Sequence, residues 1–500
     1  MLSSGRIKAG MCLAAGAILP LAYAPFGCFW LAPLSYAVLF YAWRGATPGE
    51  AFRRGGVYGL ASFLAGLYWI YISLHGFGGA PIGLAVFMTA ALIATLAFFI
   101  AVTGWAAARW FGTEGALAWL GALPALWVLT EWCRGWVLTG FGWLAAGYSQ
   151  TDSWLMAYAP ILGIEGMSWA VMLTAGAIVS LLACKRSGRI LAGCVVLVLW
   201  GLAYPLGNHR WTKPEGRLIN VALVQGAVPQ NEKWQPAYLE PTMARYRRLT
   251  VASAGRQLIV WPEAAIPALY RQVQDYLDDI GKWAARHGAV VMLGILRAHP
   301  AGTDNYQNSL VALTNPRQFY VKRHLVPFGE YFPVPHFVRS WMRVMNLAYS
   351  DDEPGPSNQP PLEVLGERVA VTICYEDVFG AEQLHYLPEA NLLVNVSNDA
   401  WFGNSTAPHQ HLQIAQVRAA EAGRYLLRAT NTGLTAVIDP SGRVVKRLPQ
   451  FKPAVLDATV QGFIGSTPYA RWGNYAVVIG ALSVLLAQLL TTKLTMRPRT

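Results

Sequence analysis

Apolar residues are unevenly distributed along this chain, and their placement constrains the fold more than any motif does. Residues 9–205 are dominated by long hydrophobic stretches, and residues 470–493 form one further apolar run. Between them, residues 211–465 carry charges, Pro/Gly turns and short strand-like runs. With 54% hydrophobic and 13% charged residues, the chain is too apolar for an ordinary soluble protein. The pattern predicts a multi-pass α-helical membrane protein carrying one large soluble insertion.

Candidate spans are 9–25, 28–43, 55–74, 82–108, 116–133, 156–183, 190–206 and 472–492, about eight in all. Arg6 and Lys8 precede an apolar stretch ending Ala22-Tyr-Ala24, which mimics a signal peptide. Pro25 and a second span follow at once, so the segment is read as uncleaved. With eight spans both termini share one side. Arg6, Lys8, Arg44, Arg53, Arg54, Arg109, Lys185, Arg186, Arg189, Lys493, Arg497 and Arg499 all fall at that face, which makes it cytoplasmic. The expected organisation is a transmembrane domain over 1–206, an extracytoplasmic domain over 207–470, and a last helix with its tail over 471–500. The net charge of +12 follows in good part from this topology. No basic-aromatic nucleic-acid surface, Gly-rich nucleotide loop or metal-type Cys/His spacing is present, so no nucleic acid, metal or cofactor is expected.

In the soluble insertion, strand-like runs are Ile219–Gln225, Leu258–Trp261, Val290–Ile295, Asn308–Thr314, Val369–Cys374, Leu392–Val396 and Thr435–Ile438. Helix-like stretches cover 238–253, 272–286 and 408–427, and Asp439-Pro-Ser-Gly442 reads as a hairpin turn. The mixture predicts an α/β domain.

Cys374 is the only cysteine in that domain. In an oxidising compartment a lone thiol has no disulfide partner in its own domain, so it is either a core residue or a reactive group. Three local patterns bear on the choice. Glu263 follows an apolar run and is bracketed by Pro262 and Pro267. Lys322 lies in a strand-like setting before a Pro-Phe-Gly-Glu330 turn. Cys374 ends the run Val369–Cys374 and is followed by Tyr375 and Glu376. A carboxylate, a lysine and a cysteine form a complete nucleophilic set. The carboxylate accepts the thiol proton, and the ammonium favours the thiolate and then the oxyanion. Spacing alone does not bring them together.

The motifs WPEAAIP around Glu263, YVKRHLVPFGE around Lys322 and ICYED around Cys374 resemble the Glu-Lys-Cys triad of the nitrilase (carbon–nitrogen hydrolase) superfamily. The longer motifs HLVPFGEYFP, VSNDAWFG over 396–403 and PHQH over 408–411 are similar to the bacterial apolipoprotein N-acyltransferase family. So are Glu131–Trp143 and Gly147–Gln150, although Gly142 stands where that family often has proline. The resemblance implies a nitrilase-like αββα sandwich inserted among the spans. It implies transfer of an acyl chain from a membrane phospholipid to the α-amine of a diacylated apolipoprotein, through a thioester on Cys374. It also implies placement in the bacterial inner membrane with the catalytic domain in the periplasm. Glu263 is then the base, and Lys322 and the Tyr375 N–H hold the oxyanion. Glu330 orients Lys322, Glu376 supports the site, and Trp234 lies near substrate entry.

Two further readings rest on the residues. Glu131 and Arg134 stand three apart near a span end, either as a helix-end ion pair or, for Arg134, as a contact to a lipid headgroup or site loop. The connection 335–361, with Trp341 and Met345, is either a lipid-touching flap that admits substrate or a short core helix. Rival functions are a membrane-tethered amidase or nitrilase, and a non-catalytic lipoprotein-binding module.

Overall fold

The structure is a computed structural model that describes residues 4–299, 305–331, 352–387 and 389–495. It divides into two compact units. One comprises Met1–Trp211, Asn404–Val417 and Thr467–Thr500; the other comprises Thr212–Gly403 and Arg418–Ser466.

The first unit is helical. Gly5–Ala22, Ile82–Phe111, Trp154–Ala183 and Arg186–Asn208 are long and apolar enough to cross a membrane. A fifth span results if Pro48–Gly66 and Trp69–Phe77, bent by 52°, count as one. Leu31–Trp43 and Tyr475–Thr491 are apolar but shorter. In the stretch 116–133, a π-helical turn over Ala118–Ala122 runs into the helix Leu123–Arg134. Each of the eight expected spans is thus largely helical, but not every helix is long. A 13-residue helix such as Leu31–Trp43 rises about 20 Å, less than a hydrocarbon core of about 30 Å.

Small residues decide how these helices pack. A Cβ on Gly55 would lie 2.8 Å from the Ile100 carbonyl oxygen, and one on Gly59 would lie 2.8 Å from Ala97 Cα. Helices Pro48–Gly66 and Ile82–Ala106 therefore meet backbone to backbone, the arrangement that favours glycine and alanine between apolar helices. A capping box of Thr47 and Glu50 starts the first of them.

The second unit is α/β. Its strands are β1 (Thr212–Gln225), β2 (Leu258–Val260), β3 (Val290–Ala298), β4 (Tyr306–Ala312), β5 (Gln318–Val321), β6 (Leu362–Val364), β7 (Glu367–Ile373), β8 (Leu392–Ser397), β9 (Leu426–Thr430), β10 (Ala436–Ile438), β11 (Val444–Arg447) and β12 (Ala454–Gly465). They form two six-stranded sheets, ordered β12-β1-β2-β3-β4-β5 and β11-β10-β9-β8-β7-β6. The central strands of each are parallel, β1-β2-β3 in one and β7-β8-β9 in the other. The sheets face one another, with β1 against β9 and β4 against β7. Helices Leu239–Ala252 and Gln274–Arg286 cover the outer face of the first sheet. Met243, Tyr246, Leu277, Ile280 and Ala284 pack there on Ala222, Val224, Ile259, Trp261 and Val291. Both faces of the central strands are therefore buried, which explains why they read as continuous apolar runs.

All seven expected strand runs are strands, and the 439–442 turn joins β10 to β11 antiparallel. The expected helix over 408–427 is shorter, Ala407–Ala422. Gly423, at φ +63°, stops it in the left-handed conformation that glycine adopts freely. The chain then enters β9.

Candidate active site

The exit of β2 presents the first group. Pro262 and Pro267 restrict the turn, and Ala264 adopts φ +43°. β3 lies close behind it. Gly294 N–H donates to the Pro262 carbonyl at 3.2 Å, and its own carbonyl accepts from Ala265 at 2.9 Å. A Cβ on Gly294 would stand 2.6 Å from Glu263 Cα, so only glycine allows this approach. The buried Glu263 carboxylate is held from two sides. Oε1 accepts from Asn308 Nδ2 at 2.7 Å, and Oε2 accepts from the Asn398 N–H at 2.8 Å.

Lys322 follows β5 directly and is fully buried. Its N–H donates to the Asn308 carbonyl at 2.8 Å. Its ammonium donates to Glu330 Oε1 at 2.6 Å and lies 3.6 Å from Glu263 Oε1. Glu330 Oε2 accepts from the Val326 N–H at 2.8 Å, so the PFGE turn aims its own glutamate. Burial pulls the Lys322 titration down, but Glu330 and Glu263 outweigh it and raise it above the ordinary lysine range. The group is a fixed cation.

Cys374 ends β7 and opens a 3-10 turn over Cys374–Val378. It adopts φ +54°, a left-handed conformation uncommon for a side chain with a Cβ and concentrated at functional sites. Burial pushes its thiol well above the ordinary range, and Glu263 pushes the same way. Lys322 opposes, Asp399 adds to the rise, and a hydrogen bond with Ser397 opposes it. The thiol is therefore protonated at rest and lies in the field of both Glu263 and Lys322.

Glu376 ties the two strand exits together. Its Oε1 accepts from Tyr320 Oη at 2.9 Å and from the N–H groups of Arg323 at 2.6 Å and His324 at 3.2 Å. Its Oε2 accepts from the Ile373 N–H at 2.7 Å. One buried carboxylate thus fixes the residues beside Lys322 relative to the residue before Cys374. Burial raises its titration, and the backbone donors limit the rise. The buried ring of Tyr375 packs against Phe379 and His324, with centroids 5.1 and 5.8 Å apart.

Residues 15–177 match the family described as the apolipoprotein N-acyltransferase N-terminal domain, and residues 220–469 match the carbon-nitrogen hydrolase family. An apolipoprotein N-acyltransferase from Nitrosomonas europaea is 45% identical over 470 residues, covering 93% of both chains. Those of Methylococcus capsulatus and Azotobacter vinelandii are 41% and 43% identical, covering 94% and 95% of this chain and 93% of each relative. This chain belongs to the apolipoprotein N-acyltransferase family. It is an acyltransferase, and its α/β unit has the carbon–nitrogen hydrolase fold.

Of the remaining predicted residues, Trp234 lies in the α/β unit, Arg134 in the helical unit and Trp341 outside the described residues. Trp234 follows the short helix Gln230–Lys233 and is 46% exposed. Trp341, Met345 and most of the 335–361 connection lie outside the described residues. In the helical unit Arg134 is buried. Its Nη1 donates to the carbonyls of Phe141 at 3.0 Å and Trp143 at 2.7 Å, and its Nη2 lies 3.8 Å from Glu131 Oε2. The i to i+3 pair is formed, and its guanidinium holds the following loop. Glu131 Oε2 also accepts from the Ala146 N–H at 3.0 Å. The PHQH motif belongs to the helical unit. Gln410 Oε1 accepts from Trp143 Nε1 at 2.9 Å and Trp69 Nε1 at 3.2 Å, and Gln413 Oε1 accepts from the Ala24 N–H at 2.8 Å.

Sequence reasoning missed Asn308, which touches both glutamates, and Lys233, whose ammonium donates to the Glu263 carbonyl at 3.3 Å. It also missed Arg428, wholly buried between Asp377 at 3.3 Å and Asp399 at 3.0 Å. Only Asn398 had a signal, since it sits in the VSNDAWFG motif. The others are single polar residues in ordinary strand or helix settings.

Proposed function

We propose that this acyltransferase moves a fatty acyl chain from a membrane phospholipid to the α-amine of the diacylglyceryl-cysteine that begins an apolipoprotein. The observation that carries the reading is the Lys322 ammonium, fixed between Glu263 and Glu330 in the field that also reaches the Cys374 thiol. Because that thiol is protonated at rest, it needs a base, and Glu263 is the carboxylate whose charge it feels most. Glu263 takes the S–H proton as sulfur attacks the ester carbonyl carbon. Lys322 and the Tyr375 N–H hold the oxyanion, and Glu330 keeps Lys322 in place. The intermediate collapses, the C–O bond breaks, and Glu263 returns the proton to the departing lysophospholipid. The acceptor amine then attacks the thioester, loses a proton to Glu263, and Cys374 leaves to be reprotonated. Glu376 keeps the two strand exits in register throughout.

In the same reading, 1–206 and 471–500 hold about eight spans of the bacterial inner membrane. Residues 207–470 lie in the periplasm and both termini in the cytoplasm, as the basic loops favour. Trp234 and Trp341 contact substrate lipid, and Arg134 fixes the loop that carries Phe141 and Trp143. A thioester awaiting an amine must be kept from water, and an acyl donor that stays in the bilayer needs an enzyme that does the same.

The test is incubation with phospholipid alone, followed by intact-mass measurement. A one-acyl adduct that disappears in Cys374→Ala is the expected result. Ester consumption without an adduct would instead favour a hydrolase, and neither adduct nor turnover a binding module.

A further inference from the structure

Counting charges around Glu263 reveals an imbalance. Glu263 and Glu330 are two carboxylates, and Lys322 is one ammonium that lies closer to Glu330 (2.6 Å) than to Glu263 (3.6 Å). The other groups facing Glu263 are Asn308 from β4, the Asn398 N–H after β8 and the Cys374 thiol after β7, all neutral at rest. Asp399, beside the thiol, adds negative charge, and it shares Arg428 with Asp377.

The missing cation comes from the short helix after β1. Lys233 is 1% exposed, and among the described residues it forms no ion pair within 4.0 Å. Its Nζ donates to the Glu263 carbonyl at 3.3 Å and lies 5.9 Å from the Trp234 ring centre. The placement is built in. Asn398 joins the two ends, its N–H on Glu263 Oε2 and its Nδ2 on Gln230 Oε1 at 2.9 Å. Asn431 donates to Asn398 Oδ1 at 3.0 Å and to the Val228 carbonyl at 2.8 Å. Burial lowers the Lys233 titration to about 8, against the pull of Glu263. It is still charged at neutral pH. A buried charge without its own ion pair is costly, so its retention calls for a reason.

We propose that Lys233 is a positioning residue for acyl transfer: its ammonium holds the Glu263 turn by the backbone and places a second positive charge beside Glu263, the base for Cys374. This rests on the reading of Glu263 as that base.

The experiment measures single-turnover acylation of Cys374 by diacyl phospholipid in detergent, followed by intact mass across a pH series. Lys233→Met removes charge and hydrogen bond; Lys233→Gln removes charge and keeps a donor; Lys233→Arg keeps both. Without the cation, a higher pH is needed to ionise the carboxylate. The acid limb should therefore move up by about one pH unit in K233M and K233Q, and stay in place in K233R. A slower K233M and K233Q with an unmoved acid limb would overturn the proposal and leave Lys233 a merely structural residue. If K233M does not fold, K233Q carries the same test. Glu263→Gln separates the two readings. If E263Q acylates Cys374 at the parental rate, the base assignment itself fails. If E263Q is inactive while the K233Q limb does not move, only the role of Lys233 fails.

Discussion

At the scale of single residues, the proposed nucleophile is held in its unreactive form. Burial and the Glu263 carboxylate keep the Cys374 thiol protonated beyond the range of a free cysteine, with Lys322 only partly offsetting them. The sign follows directly: a raised titration means less thiolate at any given pH. Iodoacetamide should therefore label Cys374 more slowly than a free cysteine, and the labelling should keep rising with pH after a free thiol has levelled off. Peptide mapping separates Cys374 from the other five cysteines, and a labelling curve that levels off near an ordinary thiol value would contradict this account. The three residues of the proposed triad stand out in the sequence because each closes an apolar run and lies in a long motif. Lys233 and Asn308 do not, because a lysine ending a four-residue helix and an asparagine in a strand carry no periodicity. Their meaning is set by what lies opposite them, which only tertiary structure supplies.

At the scale of elements, the site is a set of strand exits brought together by two close approaches, the β3 backbone at Gly294 and the Glu376 clamp. Gly294→Ala tests the first. Its Cβ would fall 2.6 Å from Glu263 Cα and 2.7 Å from the Pro262 carbonyl oxygen, so backbone must shift. A destabilisation of about 1–3 kcal/mol is expected from overpacking of this kind. A loss of acylation rate beyond the loss of folded protein is expected too, because the shift displaces Glu263, the proposed base. Thermal unfolding and single-turnover rates check the two parts, and a fully active G294A would count against the packing account. Element identity was legible where the chain is β-branched and apolar on both faces, as in β2, β3 and β8. It failed for β9, whose Leu-Leu-Arg-Ala-Thr sequence continues an alanine-rich helical pattern. Arg428 follows the expected helix 408–427 directly, and it is wholly buried between two aspartates. The edge strands β6 and β11 are three and four residues long and too short to show a period.

At the scale of the whole molecule, hydropathy alone separated the helical part from the α/β part, because the two solvents demand different compositions. It did not reveal that one helix serves both. Of Ala407–Ala422, the residues to Val417 belong to the helical unit and those from Arg418 to the α/β unit. Residues 212–466 expressed alone would carry Gln410 and Gln413 without Trp69, Trp143 and the Ala24 N–H. That fragment is expected to aggregate or to leave 407–417 unprotected in amide exchange. A monomeric fragment with full protection there would refute the expectation. The same arrangement sets an order of events during synthesis. The helical unit has its first segment complete at residue 211 but lacks Asn404–Val417 until the ribosome has made all of the intervening chain. At about 5–20 residues per second this is a wait of roughly 10–40 s. For that interval the indole N–H groups of Trp69 and Trp143 and the Ala24 N–H lack their glutamine partners. The newly made helices are then a half-built receptacle, completed only when their own segment 404–417 emerges.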